Sequence, residues 1–510
     1  MFEKLEKLIT TGDYKEALYE FQNRYFHIGE LDRENAAKLC ILEASIWEGL
    51  QDYVAEFRAI SRGMGYAPTN YELFYMLGLY YRYLNVNKAY LCMEMAYFYC
   101  DNEDKSVIEE TLSEFKTAPG MRVRNVSVMV LSYNDFEILK CCIDAIERYL
   151  PDNSFEVVVV DNASTQEGVR EYLEGKRDSA SYRFKLIESD DNLGFPKGCN
   201  LGYRYCDPDN DVFFLNNDAV LTSNALFYLR MGLYEDRNVG SCSAMSNGAS
   251  RQEIDPALFE KYAEEELSYG WHKKLGFEKS LDIFKRFASD NSNPDFNSYI
   301  RRFRLTGFAL LVSHDALKDV APDGMVFDEM YSPGFFEDDD LGIRLAALGY
   351  RQYVCTNSFI YHDGGGGFEG HNDCFENNRE RFKEKWGFDV WGYCLHWEEA
   401  AAAVIAYAKE VKRPLRILDF SCGLGATPSF LKSALPDCYV CGVCVSSFAA
   451  KIAGTIADEI AFGELNTCAL PWADHSFDVV IHEKETVCLA RASQFLINNG
   501  IIINEEFQIR

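Results

Sequence analysis

The chain has 510 residues, 48% of them hydrophobic and 14% aromatic, enough for about three domains with buried cores. Its net charge of −29 repels nucleic-acid phosphates and anionic lipid headgroups, which excludes both as general partners. The N-terminal residues lack the apolar core of a secretory signal, and no stretch reaches the roughly 18 apolar residues of a membrane span. The sequence predicts a cytoplasmic protein without an integral membrane segment.

Seventeen cysteines are spread along the whole chain. Cys141 and Cys142 are adjacent, and Cys441 and Cys444 lie in an apolar run. Dilute cysteines in a long chain are typical of reduced, buried thiols rather than of a disulfide framework. We therefore expect free thiols.

Residues 1–118 have helical patterning throughout, with three loosely similar stretches. The first stretch is marked by Gly12, Tyr14, Ala17 and Phe21. The clearest stretch is marked by Phe74, Leu77, Gly78 and Tyr81. Glycine, small and aromatic residues at this spacing resemble tetratricopeptide repeats, with an ordinary helical bundle as the alternative. A repeat solenoid would offer a concave face to a peptide or protein partner.

A short linker at residues 117–120 precedes a change to alternating strands and helices. Apolar runs predict strands at residues 126–131, 155–160, 182–188 and 211–215, and helical spacing predicts a helix at 136–150. This alternation predicts an α/β domain with a mostly parallel sheet. Ligands gather at the carboxyl ends of such strands, and polar residues follow each predicted strand.

The first three strand ends carry side chains suited to a nucleotide. Ser132, Tyr133 and Asn134 end the first strand and offer an aromatic ring and polar groups to a base. Asp161 ends the second strand and could accept a hydrogen bond from the base ring. Its alternative role is to cap the following turn. The third strand leads to Asn192-Leu-Gly-Phe195.

The fourth strand runs into Asn216-Asn217-Asp218, which precedes a short predicted strand at residues 219–222. A diphosphate held by a divalent ion needs hard oxygen ligands, usually one or two carboxylates together with waters and phosphate oxygens. Asp218 offers a carboxylate and Asn216 a side-chain carbonyl. The same three residues are also common in turns.

Four consecutive acids, Glu337 to Asp340, precede a helix predicted at residues 341–348. A charged cap on the helix dipole is the simplest explanation. The flanking Phe335 and Phe336, however, indicate a segment held against a pocket. Crowded like charges raise the pKa of at least one carboxyl group, which suits a general base.

A strand predicted at residues 351–361 ends in His362-Asp-Gly-Gly-Gly-Gly-Phe368. His362 is placed to ligate a metal, and the glycines could form a mobile flap over a phosphate. A structural histidine and an ordinary loop are the alternatives.

Eight motifs in this order resemble those of the family 2 glycosyltransferases, closest to a rhamnosyltransferase-like branch. They are VSVMVLSYN, VVVVDNAST, NLGFPKGCN, FFLNND, RLTGFALLVSHDAL, VFDEMY, FFEDDDLGIRLAALGY and YHDGGGG. The resemblance covers about residues 125–395 and defines an expected domain at 122–395. It implies the GT-A fold, inverting chemistry and a nucleotide diphosphate sugar donor, dTDP- or UDP-linked. It also implies a divalent cofactor, Mn²⁺ or Mg²⁺.

The resemblance also assigns roles by position. Asp161 would bind the nucleobase, and the donor pocket would be lined by Ser132, Tyr133, Asn134, Asn192, Gly194 and Asn217. Asn216, Asp218 and His362 would hold the metal and diphosphate. Asp338 would be the catalytic base, its surroundings shaped by Glu337 and Asp340. Asn216 is neutral where many relatives carry Asp, which questions the metal affinity. The acids and His362 are expected to converge on one cation.

An insertion at about residues 246–302 has two predicted helices, 256–271 and 279–287, and is expected to cover the acceptor side. Tyr269 and Trp271 could stack on a sugar or simply pack in the core.

Residues 397–510 form a third expected domain. A helix at 400–411 precedes a strand and the glycine-rich turn of LRILDFSCGLG, and residues 476–481 form a later strand. This pattern resembles class I S-adenosylmethionine-dependent methyltransferases. Cys444 stands where that family has the acid that grips the ribose, and Asn466 replaces another acid. The chain ends at the predicted fifth strand, 501–507, without the fold's last two strands. A thiol cannot accept two ribose hydrogen bonds, so we expect a small, degenerate Rossmann-like domain that does not bind S-adenosylmethionine.

Three interpretations compete: a glycosyltransferase, a bifunctional enzyme that glycosylates and then methylates, and a non-catalytic scaffold. The complete acidic, asparagine–aspartate and histidine motifs favour the first. The acceptor is expected to be a hydroxyl of a glycan or a protein, and the donor sugar stays open.

Overall fold

The computed structural model describes residues 2–24, 29, 31–151, 153–364, 372–483, 486–504 and 507–509. The chain forms two compact units. The first comprises Met1–Ile300, Thr306–Leu317 and Tyr353–Glu369, and the second comprises Arg301–Leu305, Lys318–Gln352 and Gly370–Arg510. None of the helices within the described ranges is long and apolar enough to span a bilayer. The domain boundaries expected near residues 118–122 and 395–397 stay predictions.

In the described part of residues 1–118, seven helices open the first unit. They are α1 Glu3–Thr10, α2 Tyr14–Arg24, α3 Arg33–Leu50, α4 Tyr53–Tyr66, α5 Tyr71–Tyr81, α6 Val86–Tyr99 and α7 Lys105–Lys116. Asp32, Asp52 and Asn70 each accept a hydrogen bond from a backbone N–H in the first turn, which defines where α3, α4 and α5 begin. Gly78 lets α5 and α6 approach closely, because a Cβ there would lie 2.6 Å from the Met93 side chain. The tetratricopeptide resemblance stays a prediction.

A nine-stranded sheet follows. Its strands are β1 Val126–Ser132, β2 Phe155–Asp161, β3 Phe184–Glu188, β4 Asp211–Asn216, β5 Ala219–Leu221, β6 Val239–Met245, β7 Tyr299–Arg302, β8 Ala309–Val312 and β9 Arg351–His362. The order is β3-β2-β1-β4-β8-β6-β9-β5, with β7 paired to β9. The first four strands are parallel, and β8 runs antiparallel to β4 and β6. The predicted α/β class with a mostly parallel sheet is confirmed.

Helices connect these strands. They are α8 Phe136–Tyr149, α9 Val169–Ser179, α10 Gly194–Tyr203, α11 Ala225–Leu233, α12 Glu260–Ala263, α13 Trp271–Leu275, α14 Phe277–Asn291 and α15 His314–Val320. The prediction of one helix at residues 256–271 is wrong. The segment is a 3₁₀ turn, Pro256–Phe259, followed by the one-turn helix α12, which ends where Glu264 takes a left-handed φ of 60°. The second predicted helix, 279–287, is confirmed within α14.

One hydrophobic cluster extends from helices α3 to α7 into the sheet of the first unit. Phe74 on α5 packs edge-on against Phe227 on α11, with ring centroids 5.2 Å apart. Arg230 on α11 pairs with Glu94 on α6, and both side chains are buried. The helices before the sheet therefore share its core.

The second unit carries the remaining elements. Its helices are α16 Glu337–Ala347, α17 Asn372–Trp386, α18 Val390–Cys394, α19 Glu398–Val411, α20 Ala426–Ala434, α21 Ser447–Ala453 and α22 Leu489–Phe495. Its strands are β10 Arg416–Asp419, β11 Tyr439–Cys444, β12 Glu459–Phe462, β13 Phe477–Ile481, β14 Leu496–Asn504 and β15 Phe507–Ile509. The sheet order is β12-β11-β10-β13-β14-β15, parallel except for the last pair. The predicted fifth strand, 501–507, is β14 followed by a separate strand β15.

All seventeen cysteines lie in the described part of the chain and are free thiols. Cys438, Cys441 and Cys444 have a C-x2-C-x2-C spacing that can indicate a metal site. They lie along or beside β11, where residues three apart face opposite sides, and they belong to three different hydrophobic clusters. This strand therefore does not bring the three thiols together.

Candidate active site

The carboxyl ends of β1, β2 and β4 meet at one edge of the first sheet. Ser132 is in register with Asp161, and Leu131 is in register with Asn216. The predicted donor-binding residues and the Asn216–Asp218 motif therefore share this edge. The acidic run at Glu337 belongs to the second unit and is described separately below.

Asn134 connects the loops that follow β1 and β2. Its Oδ1 accepts hydrogen bonds from the backbone N–H groups of Thr165 and Gln166, at 2.8 and 3.0 Å. Its own N–H donates to Ser164 Oγ at 2.9 Å. Asn134 and Asp135 both have left-handed φ values, 56° and 51°. This backbone conformation is held by the loop contacts and leaves the Tyr133 side chain partly exposed.

Asp161 caps the turn after β2, because its Oδ1 accepts the N–H of Ser164 at 3.0 Å. The capping role, which was the alternative to base binding for Asp161, is therefore present in the structure. Next to it, the buried Asn162 donates to Asn192 Oδ1 at 3.0 Å and accepts the Leu193 N–H at 2.8 Å. These contacts join the ends of β2 and β3.

Asp218 and His362 face each other although 144 positions separate them. Antiparallel pairing of β5 with β9 sets Ala219 opposite His362. Asp218 Oδ1 lies 3.5 Å from His362 Nε2. Asp218 Oδ2 accepts the Gly364 N–H at 3.1 Å, and its carbonyl accepts the Asp363 N–H at 3.0 Å.

The orientation of the His362 ring is fixed from the opposite side. His362 Nδ1 lies 2.9 Å from the Gly248 carbonyl oxygen and donates to it. This bond leaves Nε2 directed toward Asp218. A ring N–H bonded to a backbone carbonyl is the usual support of a metal-ligating histidine.

Charges in this region act strongly on one another. Burial alone would lower the pKa of His362, but the Asp218 carboxylate outweighs it and raises the pKa. Burial alone would raise the pKa of Asp218, but His362 holds it below its ordinary value. Burial and then the carboxylates of Asp218 and Asp363 raise the pKa of Asp135. The strand ends thus present a negative region that favours a cation.

The described residues fit a divalent ion that also binds a substrate diphosphate. No group of three or more His, Cys, Asp or Glu side chains suited to a metal occurs among them. Asp218 and His362 would supply two ligands, and Mg²⁺-type sites commonly complete the shell with phosphate oxygens and water. The 3.5 Å between Oδ1 and Nε2 is compatible with two ligands of one ion.

In the second unit, the acidic run forms the first turn of α16, earlier than the predicted helix start at residue 341. The preceding Phe335 and Phe336 have left-handed φ values of 74° and 73°. The buried Asn378 side chain donates to the carbonyls of Tyr331 and Gly334, at 2.7 and 2.8 Å, and supports this loop.

The four acids have different surroundings. Asp340 is fully buried, accepting from Arg344 Nε at 2.8 Å and Trp386 Nε1 at 2.9 Å. Asp339 pairs with Arg304, and burial together with the Asp338 charge raises the pKa of Asp339 to about 6. Burial and the Asp338 charge raise the pKa of the buried Glu337 well above its ordinary value. Asp338 is the least buried of the four.

The sequence model of glycosyl transferase family 2 matches residues 127–291. This part of the chain is therefore similar to family 2 glycosyl transferases. The matched range includes the ends of β1 to β4 and Asp218, and it ends before α16 and His362. Together with the mostly parallel sheet, the match agrees with the expected GT-A fold class.

No curated protein matches the chain significantly. Among solved structures, GalNAc-T7 with UDP, GalNAc and Mn²⁺ is 13% identical, with 53% of this chain and 49% of that chain covered at a TM-score of 0.39. S. aureus TarS 1–349 is 17% identical, with 47% and 60% covered and a TM-score of 0.31. The mannosyltransferase PcManGT from Pyrobaculum calidifontis, in complex with GDP-Man and Mn²⁺, is 14% identical, with 78% and 88% covered and a TM-score of 0.34. The chain thus spans about half the length of GalNAc-T7 and 60% of TarS 1–349. These scores identify no donor or acceptor.

In the first unit, the structure brings together several predicted residues. Asp218 meets His362, Asn192 meets the end of β2, and Asn217 Nδ2 lies 3.5 Å from the Asn134 carbonyl oxygen. Ser132 is fully buried, which removes its side chain from direct contact with a nucleotide. Gly194 has a φ of 73° and begins α10. Residues 365–368 of the expected glycine flap lie outside the described residues.

The insertion contributes residues that sequence reasoning missed. Asn247 bonds the backbone of His362 twice, with Nδ2 to its carbonyl and Oδ1 to its N–H, both at 2.9 Å. Lys273 Nζ lies 3.0 Å from Asp363 Oδ2. Trp271 is buried and packs against Phe259 at 5.0 Å, so its ring does not stack on a sugar. In the sequence, no motif marks Asn247 or Lys273; the motif they contact is the one that begins His362-Asp363.

Proposed function

We propose that the protein is an inverting, metal-assisted glycosyltransferase. It transfers a sugar from a dTDP- or UDP-linked donor to a hydroxyl of a glycan or protein. The observation that carries the proposal is the facing pair of Asp218 and His362 at the strand-end edge of a family 2 domain. The rhamnosyltransferase-like branch stays a prediction.

Asp218 Oδ1 and His362 Nε2 would hold Mn²⁺ or Mg²⁺, and Asn216 is the third expected ligand. When bound, such an ion offsets negative charge on a departing diphosphate. Gly248 and Asn247 keep His362 in position through its ring and its backbone. Lys273, held by Asp363, adds a positive charge beside the pair. A chain with a net charge of −29 needs such local cations to bind a diphosphate.

Asp338 is the proposed general base. It would take the proton of the acceptor hydroxyl while that oxygen forms a bond to the anomeric carbon and the bond to the diphosphate breaks. Inversion follows from this single displacement. The proposal is supported by the lower burial of Asp338 and by the firm pairing of Asp339 and Asp340 with basic side chains. That Asp338 and Asp218 serve the same reaction stays a prediction.

For donor binding, Asp161 and Tyr133 are the proposed contacts to the nucleobase. Asp161 Oδ1 accepts the Ser164 N–H at 3.0 Å, and Oδ2 would accept a hydrogen bond from the base. Tyr133 is about one-third exposed at the same edge. Asn134, Asn192 and Asn217 would shape the donor pocket through the loop contacts described above.

The decisive test combines donor hydrolysis and thermal unfolding. With UDP- and dTDP-sugars, chelator should abolish turnover and Mn²⁺ or Mg²⁺ should restore it. In Asp218→Asn, Mn²⁺ should no longer raise the melting temperature in the presence of nucleotide diphosphate. Asp282→Asn, an exposed carboxylate on α14, is the control and should behave as the parent. Full turnover in chelator would refute the metal-assisted reaction.

A further inference from the structure

The glycine-rich turn after β10 is occupied by another segment of the same chain. A Cβ on Gly423 would lie 3.0 Å from both the Cα and the carbonyl oxygen of Tyr393. The Leu424 N–H donates to that carbonyl at 3.1 Å. Glycine is therefore required here for close approach of the backbone at Gly392 and Tyr393. In the methyltransferase resemblance, such a turn would instead approach a cofactor.

Residues around the turn do not fit S-adenosylmethionine. At the end of β11, Cys444 is buried and its Sγ lies 3.4 Å from the Gly423 carbonyl oxygen, to which it donates. Asn466 is committed to the backbone, donating to the Thr486 carbonyl at 2.8 Å and accepting the Cys488 N–H at 2.9 Å. Neither residue supplies the carboxylate that ribose hydroxyls require.

The space that remains is small. A cavity of about 170 Å³ lies at the strand ends and is lined by residues including Tyr393, Phe420 and Glu483. Pockets that bind a ligand as large as S-adenosylmethionine are typically about 300–1,000 Å³. The occupied turn, the thiol and amide at the two positions expected to carry acids, and the cavity volume all disagree with a bound nucleoside cofactor.

The same turn and helices contact the segment that supports the acidic run. Leu424, Ala426, Ala449 and Ile452 share one hydrophobic cluster with Phe336 and Phe388. The ring of Phe388 stacks on Tyr393, with centroids 4.6 Å apart. The C-terminal sheet domain and the loop before α16 thus have a common core within the second unit.

Two chains of contact reach the acids from this core. Phe448 on α21 packs against Trp386 at 5.2 Å, and Trp386 Nε1 donates to Asp340 Oδ1 at 2.9 Å. Trp391 packs against Phe336, which immediately precedes Glu337, at 5.9 Å. Rigid packing of this kind sets the position of a catalytic group in the first helical turn after a short, strained loop.

We propose that the C-terminal α/β domain is a positioning anchor for residues 334–340, the end of the loop before α16 and the first turn of that helix, with its glycine turn taking Gly392 and Tyr393 in place of a nucleoside cofactor. The catalytic consequence rests on the proposed glycosyltransferase function. The positioning itself rests only on the packing within the second unit.

The test compares two partly buried phenylalanines on helices of the C-terminal domain. Phe448→Ala removes the contact to Trp386, whereas the control Phe430→Ala removes a contact to a different cluster. Hydrogen–deuterium exchange of peptides covering residues 334–345 should increase in Phe448→Ala and remain at the parent level in Phe430→Ala. Turnover should fall about 10- to 100-fold in Phe448→Ala with the donor KM unchanged. Unchanged exchange in that loop would overturn the anchor.

Exchange requires no activity, so the two proposals can fail separately. A parent protein without transfer activity would refute the proposed function, while increased loop exchange in Phe448→Ala would still support the anchor. Calorimetry with S-adenosylmethionine and S-adenosylhomocysteine should show no binding to the parent. Micromolar binding of either would overturn the occupied turn.

Discussion

Polar side chains at the strand ends differ in what their atoms contact. Asn134 and Asp161 bond backbone N–H groups of the loops around them, so much of their hydrogen-bonding capacity stabilises the loop. Asp218 and His362 instead face each other across 3.5 Å. Residues such as Asn134 and Asp161 therefore shape the loops of the site, whereas Asp218 and His362 supply its charge. We therefore expect the largest losses of activity from Asp218 and His362 in the first unit.

Asp338→Asn tests the proposed base. The change keeps the size of the side chain and removes its ability to take a proton, so turnover should fall about 10²- to 10⁴-fold. Stabilisation of the protein by the nucleotide-sugar donor, measured as a shift in melting temperature, should be preserved. Transfer at the parent rate would remove Asp338 from the mechanism.

Asp340→Asn is the matched comparison. Asp340 is fully buried and pairs with Arg344 and Lys385, so the variant leaves basic groups without their carboxylate. Its free energy of unfolding should fall by about 3 kcal/mol. If Asp340→Asn were as stable as the parent but inactive, a direct role for Asp340 would replace the structural one.

Asn247→Ala tests the support of the histidine ligand. Asn247 is fully buried and holds both backbone polar groups of His362. Loss of such support typically lowers metal affinity about 10- to 100-fold. Titration with Mn²⁺ in the presence of nucleotide diphosphate measures this affinity. The exposed Asn238→Ala is the control, and equal affinities of the two variants would contradict the role of Asn247.

Buried strands were the elements most readily predicted from the sequence. Continuous apolar runs at β1, β2 and β4 marked them, because strands covered on both faces tolerate few polar residues. The helix expected at residues 256–271 failed because its apolar spacing continues through residues that adopt left-handed φ values, Glu264 and Gly270. Side-chain spacing does not report such interruptions.

The candidate site was only partly accessible to sequence reasoning. Motifs identified Asp218 and His362, but the register between β5 and β9 that joins them depends on tertiary structure. Asn247 and Lys273 lie in the insertion, outside both of its predicted helices. Their importance follows from contacts with His362 and Asp363, which no local propensity encodes.

Asn378→Ala tests how the loop before α16 is held. Asn378 Nδ2 bonds the carbonyls of Tyr331 and Gly334, and the following Phe335 and Phe336 are strained. Without these bonds the loop should relax, lowering turnover about 10-fold or more with little change in donor KM. The neighbouring exposed Asn377→Ala is the control. A pure increase in KM would show that Asn378 acts on donor binding instead.

At the scale of the whole molecule, acidity is the dominant property. The chain has 80 Asp and Glu residues and only 51 Lys and Arg residues. Several acids are buried, and their charged forms oppose folding unless a basic partner compensates. Asp478 has such a partner in Arg413, at 3.1 Å, while no hydrogen bond to Asp419 Oδ2 occurs among the described residues. The contributions of Asp478 and Asp419 to the free energy of unfolding should therefore change with pH in opposite directions.

Burial raises the pKa of Asp419 to about 7, and the nearby Glu483 carboxylate adds to the effect. The hydrogen bond from the Ser421 N–H acts in the opposite direction but is outweighed. The unfolded chain releases this proton near pH 4, whereas the folded protein keeps it until about pH 7. Between those values the folded state binds more protons, so the contribution of Asp419 to stability falls as pH rises, by up to about 4 kcal/mol. The stability of the parent relative to Asp419→Asn should accordingly decrease from pH 4 to pH 7 and stay constant above it. Denaturant unfolding of both proteins at several pH values measures this difference. A difference that stays constant or rises over this range would contradict the raised pKa of Asp419.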